Sequence, residues 1–384
     1  MGSGPASWQP PAPSGTELRT AAMITWNDVP DSFWATRAID FVGGTYDWMR
    51  DYAPAVDGTY PFYPNKLEKR KLFVRAVVKA FAPDAQPDPN LTFPDLASDD
   101  PFFPYANVAA SNGWLWTGPT GNFRPDEPVT MSQVHRALVK ALGFGDIATG
   151  LNQIHTTGGY VFPHKGGFGT LLLGMRMGLR YNHSDESLDV GPASAMPRSE
   201  VAYSLWKAAN MPSWMHDSLL PYQTIELPWI PKARLPIVEW GIRYVGYPYV
   251  WGGEWDQATG NGYCCGSQPV GGFDCSGLTW WVIKRAAGSW DNAPPRPYEG
   301  WNLPERTSAS MAAVGERVWR FDDLVPGDLM FYDGDGDGTV DHVDVYLGNG
   351  WSVDSSSGMG GVTILQVDSG WYRDHFVHGR HLIG

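Results

Sequence analysis

The chain has 384 residues, 43% of them hydrophobic, and a formal net charge of −13. That length accommodates two or three domains, each with a core of its own. The acidic balance, with no basic patch that stands out, argues against nucleic acid and against anionic membrane surfaces as partners; no apolar stretch reaches transmembrane length, so no membrane insertion is expected.

Residues 1–24 are rich in Pro, Ser, Gly and Ala and read as a flexible lead-in. Met1-Gly2-Ser3-Gly4-Pro5 has no basic or apolar region of a signal peptide, and reads as a cloning scar or a trimmed mature start that hides an export signal. From Trp26 to about Pro212 the chain repeats itself. Phe62-Tyr63-Pro64 and Phe123-Arg124-Pro125 each precede a helical pattern, and 73–81 aligns without a gap on 134–142. A weaker third copy covers 201–209, preceded by Val190-Gly191-Pro192. Upstream openings are Trp26-Asn27-Asp28-Val29-Pro30, Phe93-Pro94-Asp95-Leu96 and Tyr160-Val161-Phe162-Pro163. Helix–loop–helix units of roughly 60 residues bury one another's apolar faces, which predicts an all-α array over 25–212 with copies at 25–85, 91–146 and 155–212. Residues 213–231 carry three prolines without periodicity and read as a linker to a second domain over 232–384.

In that second domain Asp274 is a good N-cap for the apolar run after Cys275, which places the thiol in the first turn of a helix. The positive end of a helix dipole favours thiolate, the reactive form of cysteine. His342 opens an alternating strand whose valines face a core, so its imidazole can face a cleft. Cys264 and Cys265 adjoin in a Gly-rich loop, where a vicinal disulfide, free thiols and crosslinking elsewhere are equally open. Between two strands, residues 333–344 fit the EF-hand loop template with Asp in place of the final Glu. Asp333, Asp335, Asp337, Thr339, Asp341 and Asp344 are its candidate ligands. Carboxylates this dense repel one another without a cation, so a structural calcium ion is expected, with no cofactor for catalysis. The nineteen tryptophans and the remaining histidines read as packing or surface residues.

Tyr247-Pro248-Tyr249-Val250-Trp251-Gly252-Gly253, Asp274-Cys275-Ser276-Gly277-Leu278, Pro326-Gly327-Asp328-Leu329 and 342–348 resemble, in that order, the motifs of NlpC/P60 cell-wall peptidases. The resemblance implies an α+β, papain-like domain of helices packed on an antiparallel sheet. It implies Cys275 as nucleophile, His342 as base and Tyr249 as oxyanion donor beside the Cys275 amide. At the third catalytic position the family usually carries His, Asn or Gln, and here stands Asp354, which can accept the Nδ1 hydrogen of the imidazole. Asp344, where the family usually has Gly, is a rival orienter, though a solvated or metal-bound role is preferred. The repeats resemble S-layer homology (SLH) repeats, a pseudo-threefold bundle whose grooves bind secondary cell-wall polymer. Their arginine position holds Arg70 and Arg198, but Met131 in the second copy, so anchoring competes with a purely scaffolding role.

Together these expectations describe a secreted cell-wall hydrolase that cuts peptidoglycan stem peptides between D-glutamate and the following diamino acid. The rivals are a CHAP-type amidase, a wall-binding protein with an inactive hydrolase fold, and a non-wall acyltransferase. The Asp-Cys-Ser-Gly motif favours NlpC/P60 over the first, and an intact Cys275 and His342 speak against the second.

Overall fold

The computed structural model describes residues 24–118, 120–164, 166–260, 268, 270–287 and 305–382. It divides into two compact units. One holds the chain to Ala148 together with Met177–Tyr181 and Pro192–Leu220; the other holds Thr149–Arg176, Asn182–Gly191 and the chain from Pro221. This division differs from the predicted boundaries, because the third repeat is shared between the units.

In the first unit the described elements are helical, led by Arg70–Phe81, Phe103–Ser111, Met131–Ala141 and Arg198–Ala209. The segments that enter three of these helices close a ring of backbone hydrogen bonds. Glu68 N–H donates to Met196 O, Met196 N–H to Val129 O, and Val129 N–H to Glu68 O, each at 2.9 Å. Arg70, Met131 and Arg198 follow the ring at equivalent positions and donate to Glu127 O, Ser194 O and Lys66 O. The ring gives otherwise orphaned backbone groups their partners and explains the sequence repeat. Asp28 and Asp95 complete the first two copies, each accepting two successive amides: Phe62 and Tyr63, or Phe123 and Arg124.

Arg198 is a correction to the expected polymer-binding set. Its side chain is fully buried, with Nη1 2.6 Å from Glu68 Oε2 and Nη2 2.7 Å from Asp51 Oδ2. Its Nε donates to Phe62 O at 2.7 Å. A buried guanidinium needs partners, and here they are internal, so Arg198 ties the repeats together instead of facing a ligand.

The second unit is built on a six-stranded antiparallel sheet. In spatial order its strands are Glu316–Val318, Phe376–His381, Leu329–Tyr332, His342–Gly348, Trp351–Ser356 and Gly361–Gln366. The helices Cys275–Ala287 and Leu235–Arg243 pack on each other and on the central strands. Asp328 of the Pro-Gly-Asp motif is buried as a staple, 2.6 Å from both Arg234 Nη1 and His381 Nδ1. The predicted linker is structured instead. Trp214–Leu219 is helical, and Tyr222 is buried with its hydroxyl donating to Ile364 O at 2.8 Å. Local periodicity cannot show such a contact, which depends on residues 142 positions away. The vicinal pair Cys264–Cys265 lies outside the described residues.

Candidate active site

Cys275 begins the helix Cys275–Ala287, as the N-cap signal predicts. Asp274 Oδ1 accepts the Gly277 amide at 2.5 Å, and its Oδ2 accepts the Gly252 amide at 2.9 Å. One carboxylate thus caps the helix and pins it to the Trp251-Gly252-Gly253 turn. Gly277 is required there, since a Cβ would collide with the Gly253 carbonyl oxygen. Ser355 Oγ donates to Phe273 O at 2.7 Å and links the sheet to the segment before the thiol.

His342 starts its strand opposite Tyr332. Its Nε2 lies 2.9 Å from Asp354 Oδ1 and 3.1 Å from Asp344 Oδ1, ion-pair contacts without the alignment of a linear hydrogen bond. Two expectations change. The carboxylates engage Nε2 and not Nδ1. Asp344 is 1% exposed beneath the imidazole, so it is neither solvated nor part of a calcium loop.

Burial works against charge on His342, but the Asp354 carboxylate and polar contacts with Asp344, Asp354 and Cys275 outweigh it and hold the imidazole well above the usual histidine range. Burial, then the Asp354 charge, pushes Asp344 up to about 7. Burial also presses on Asp354, but the His342 charge and its hydrogen bonds prevail and hold that carboxyl below the usual range. Around them, the Tyr332 hydroxyl and Ser352 Oγ donate to Asp344 Oδ2 at 3.2 and 3.0 Å, and the Tyr372 hydroxyl donates to Asp354 Oδ2 at 3.1 Å. Sequence reasoning missed these three donors. Tyr332 and Ser352 had a weak signal in strand alternation, whereas Tyr372 comes from a separate helix, Gly370–Asp374.

Tyr249 is half-buried near the thiol. Burial, then negative charge at Cys275 and Asp274, pushes its hydroxyl upward, so it remains a hydrogen-bond donor. Glu186, in the second unit but upstream of the motifs, accepts the Trp251 amide at 2.5 Å and also acts on Tyr249. No local pattern singled it out.

The acidic loop retains part of its predicted ligand set. Asp333, Asp335 and Asp341 bring carboxylate oxygens within 4.8 Å of one another. Asp337 is outside that group and accepts the Thr339 amide in a turn, while Asp344 belongs to the histidine. In the first unit, Arg70 is 2% exposed and its Nε has no hydrogen-bond partner among the described residues. It lines a small cleft with Trp114, Trp116, Gln133 and Arg136.

The Bacillus subtilis (strain 168) bifunctional muramidase/DL-endopeptidase CwlT is 30% identical over 142 residues, 37% of this chain and 34% of that protein. The Escherichia coli (strain K12) murein DD-endopeptidase MepH is 31% identical over 154 residues, 40% of this chain and 48% of that protein. The chain thus spans less than half the length of these curated relatives. The solved structure of the peptidoglycan hydrolase RipB from Mycobacterium tuberculosis is 30% identical, covering 40% of this chain and 69% of that one, with a TM-score of 0.29. Residues 246–381 match the NlpC/P60 family, and this part of the chain is an NlpC/P60 domain.

Proposed function

We propose that the protein is a secreted cysteine hydrolase of the cell wall that cuts peptidoglycan stem peptides, between D-glutamate and the following diamino acid. The observation that carries this reading is Cys275 at a capped helix start, facing a histidine backed by buried Asp354. His342 Nδ1 takes the thiol proton, and sulfur attacks the peptide carbonyl. The Cys275 amide and the Tyr249 hydroxyl receive the developing oxyanion. His342 then protonates the leaving amine, and water resolves the thioester through the same base. Mass spectrometry of muropeptides treated with wild type and Cys275→Ala tests this. Disaccharide-dipeptides and the matching free peptides from wild type alone are expected. Release of free sugar chains and intact peptides would favour the amidase, and intact muropeptides with retained wall binding the inactive binding protein.

The helical unit, on this reading, is an SLH-like array that holds the protein to secondary cell-wall polymer. Arg70 supports it, because a guanidinium whose Nε lacks a partner, beside two tryptophans and Arg136, suits an acidic sugar. Structural calcium held by Asp333, Asp335 and Asp341 completes the proposal; it would steady the entry to the His342 strand and take no part in the chemistry.

A further inference from the structure

A cysteine–histidine pair needs one polar group to orient the imidazole, and this site offers two carboxylates. The strand register explains how they meet. Val345 pairs with Val353 and Tyr346 with Ser352, so one step further along the same ladder sets Asp344 directly opposite Asp354. Cross-strand neighbours on one face lie about 5 Å apart at Cβ, and like charges there destabilise a sheet. Both carboxylates are at most 1% exposed, and both aim Oδ1 at the same His342 Nε2. One N–H cannot satisfy two acceptors. Among the described residues the only basic side chain in contact with either carboxylate is His342. The other facing groups are hydroxyls: Tyr332 and Ser352 on Asp344, Tyr372 and Ser356 on Asp354, with Arg176 acting more distantly on Tyr372. Two full negative charges at this depth against one imidazolium are costly, and a proton held between them removes that cost.

Resting on the cysteine-hydrolase reading of the site, we propose that Asp344 and Asp354 hold a single proton between them beneath His342. Asp354 carries the charge that orients the ring, and Asp344 is a neutral carboxylic acid that donates its O–H to Asp354. The upward push on Asp344 and the downward hold on Asp354 agree with that assignment. Asp344 is therefore a positioning residue. When it ionises at higher pH, a second charge beneath the imidazolium holds the ring proton longer and extends reactivity on the alkaline side.

The test compares wild type, Asp344→Asn and Asp354→Asn by two readouts that need no wall substrate. Alkylation of Cys275 by iodoacetamide is followed across pH by peptide mass spectrometry, and infrared difference spectra are recorded at pH ~6, below the value at which Asp344 ionises. The wild-type-minus-Asp344→Asn spectrum is expected to contain a protonated-carboxyl band. Asp354→Asn should slow alkylation about tenfold more than Asp344→Asn, within the range of partners that orient a reactive group. Asp344→Asn should also bring the alkaline limb to lower pH. If Asp344→Asn does not fold, Asp344→Gly, the residue usual in the family, replaces it. A missing band, an alkaline limb that does not move, or an Asp344→Asn loss equal to that of Asp354→Asn overturns the shared proton. Inactivity on muropeptides with these signatures intact would instead remove only the hydrolase reading.

Discussion

His342 Nε2 lies 2.9 Å from Asp354 Oδ1, a diagonal contact across adjacent central strands that leaves Nδ1 as the nitrogen for the Cys275 thiol. In the neutral ring this contact favours the tautomer with hydrogen on Nε2, toward the acid.

Removing that charge should cost activity more than stability. Asp354→Asn is expected to lower kcat/KM by about a hundredfold, as loss of an orienting partner does. Steady-state hydrolysis of a purified muropeptide measures it. A loss under threefold would dismiss Asp354 as the orienter.

Asp344 predicts a pH dependence of stability. Its folded-state value, about 7, is raised above the ordinary 3.8. Its contribution is therefore complete below the ordinary value and is lost as pH rises through about 7. Asp344→Asn should gain melting temperature relative to wild type between acidic and neutral pH. A constant Tm difference across that window would contradict the raised value.

Gly277→Ala places a methyl group on the Gly253 carbonyl and strains the helix that carries Cys275. A destabilisation of about 2 kcal/mol is expected, in the range of backbone clashes at buried sites. Denaturant titration reads it, and an unchanged midpoint would show that the turn gives way without cost.

Arg70 and Arg198 should separate function from folding. Arg198→Ala leaves Glu68 buried without its ion-pair partner and Asp51 with Arg75 alone, a loss of about 3–5 kcal/mol. Arg70→Ala breaks no ion pair among the described residues and should weaken retention on wall sacculi while the protein stays folded. Equal retention of Arg70→Ala and wild type in a sacculus pull-down would leave the helical unit a scaffold.

Chelation probes the acidic loop. If Asp333, Asp335 and Asp341 hold calcium, EDTA should lower Tm and activity together, and calcium should restore both. No response to either treatment would reduce the loop to a set of Asp-capped turns.

The helix start at Cys275 and the histidine strand were legible because each is a local pattern: an N-cap before an apolar run, and alternation after His342. In the helical unit Asp28 and Asp95 make the same pair of contacts to the Phe62 and Phe123 segments, although 34 residues separate the first pair and 28 the second. The third repeat misled. Its helix Phe168–Arg176 is apolar all along, and Leu171 packs close against Gly246 of the second unit, a partnership that spacing cannot reveal. Arg198 misled for a similar reason, because a matching motif position says nothing about burial.

By itself, then, the sequence determined the helix that Cys275 begins and the strand that His342 opens, since helix caps and strand periods depend on neighbours a few positions apart. Only the tertiary structure decided where the acids lie. Asp344 fits a metal loop by spacing, yet strand register carries it across from Asp354 and away from Asp333. Register is set by the burial of whole strand faces, and that depends on the complete sheet.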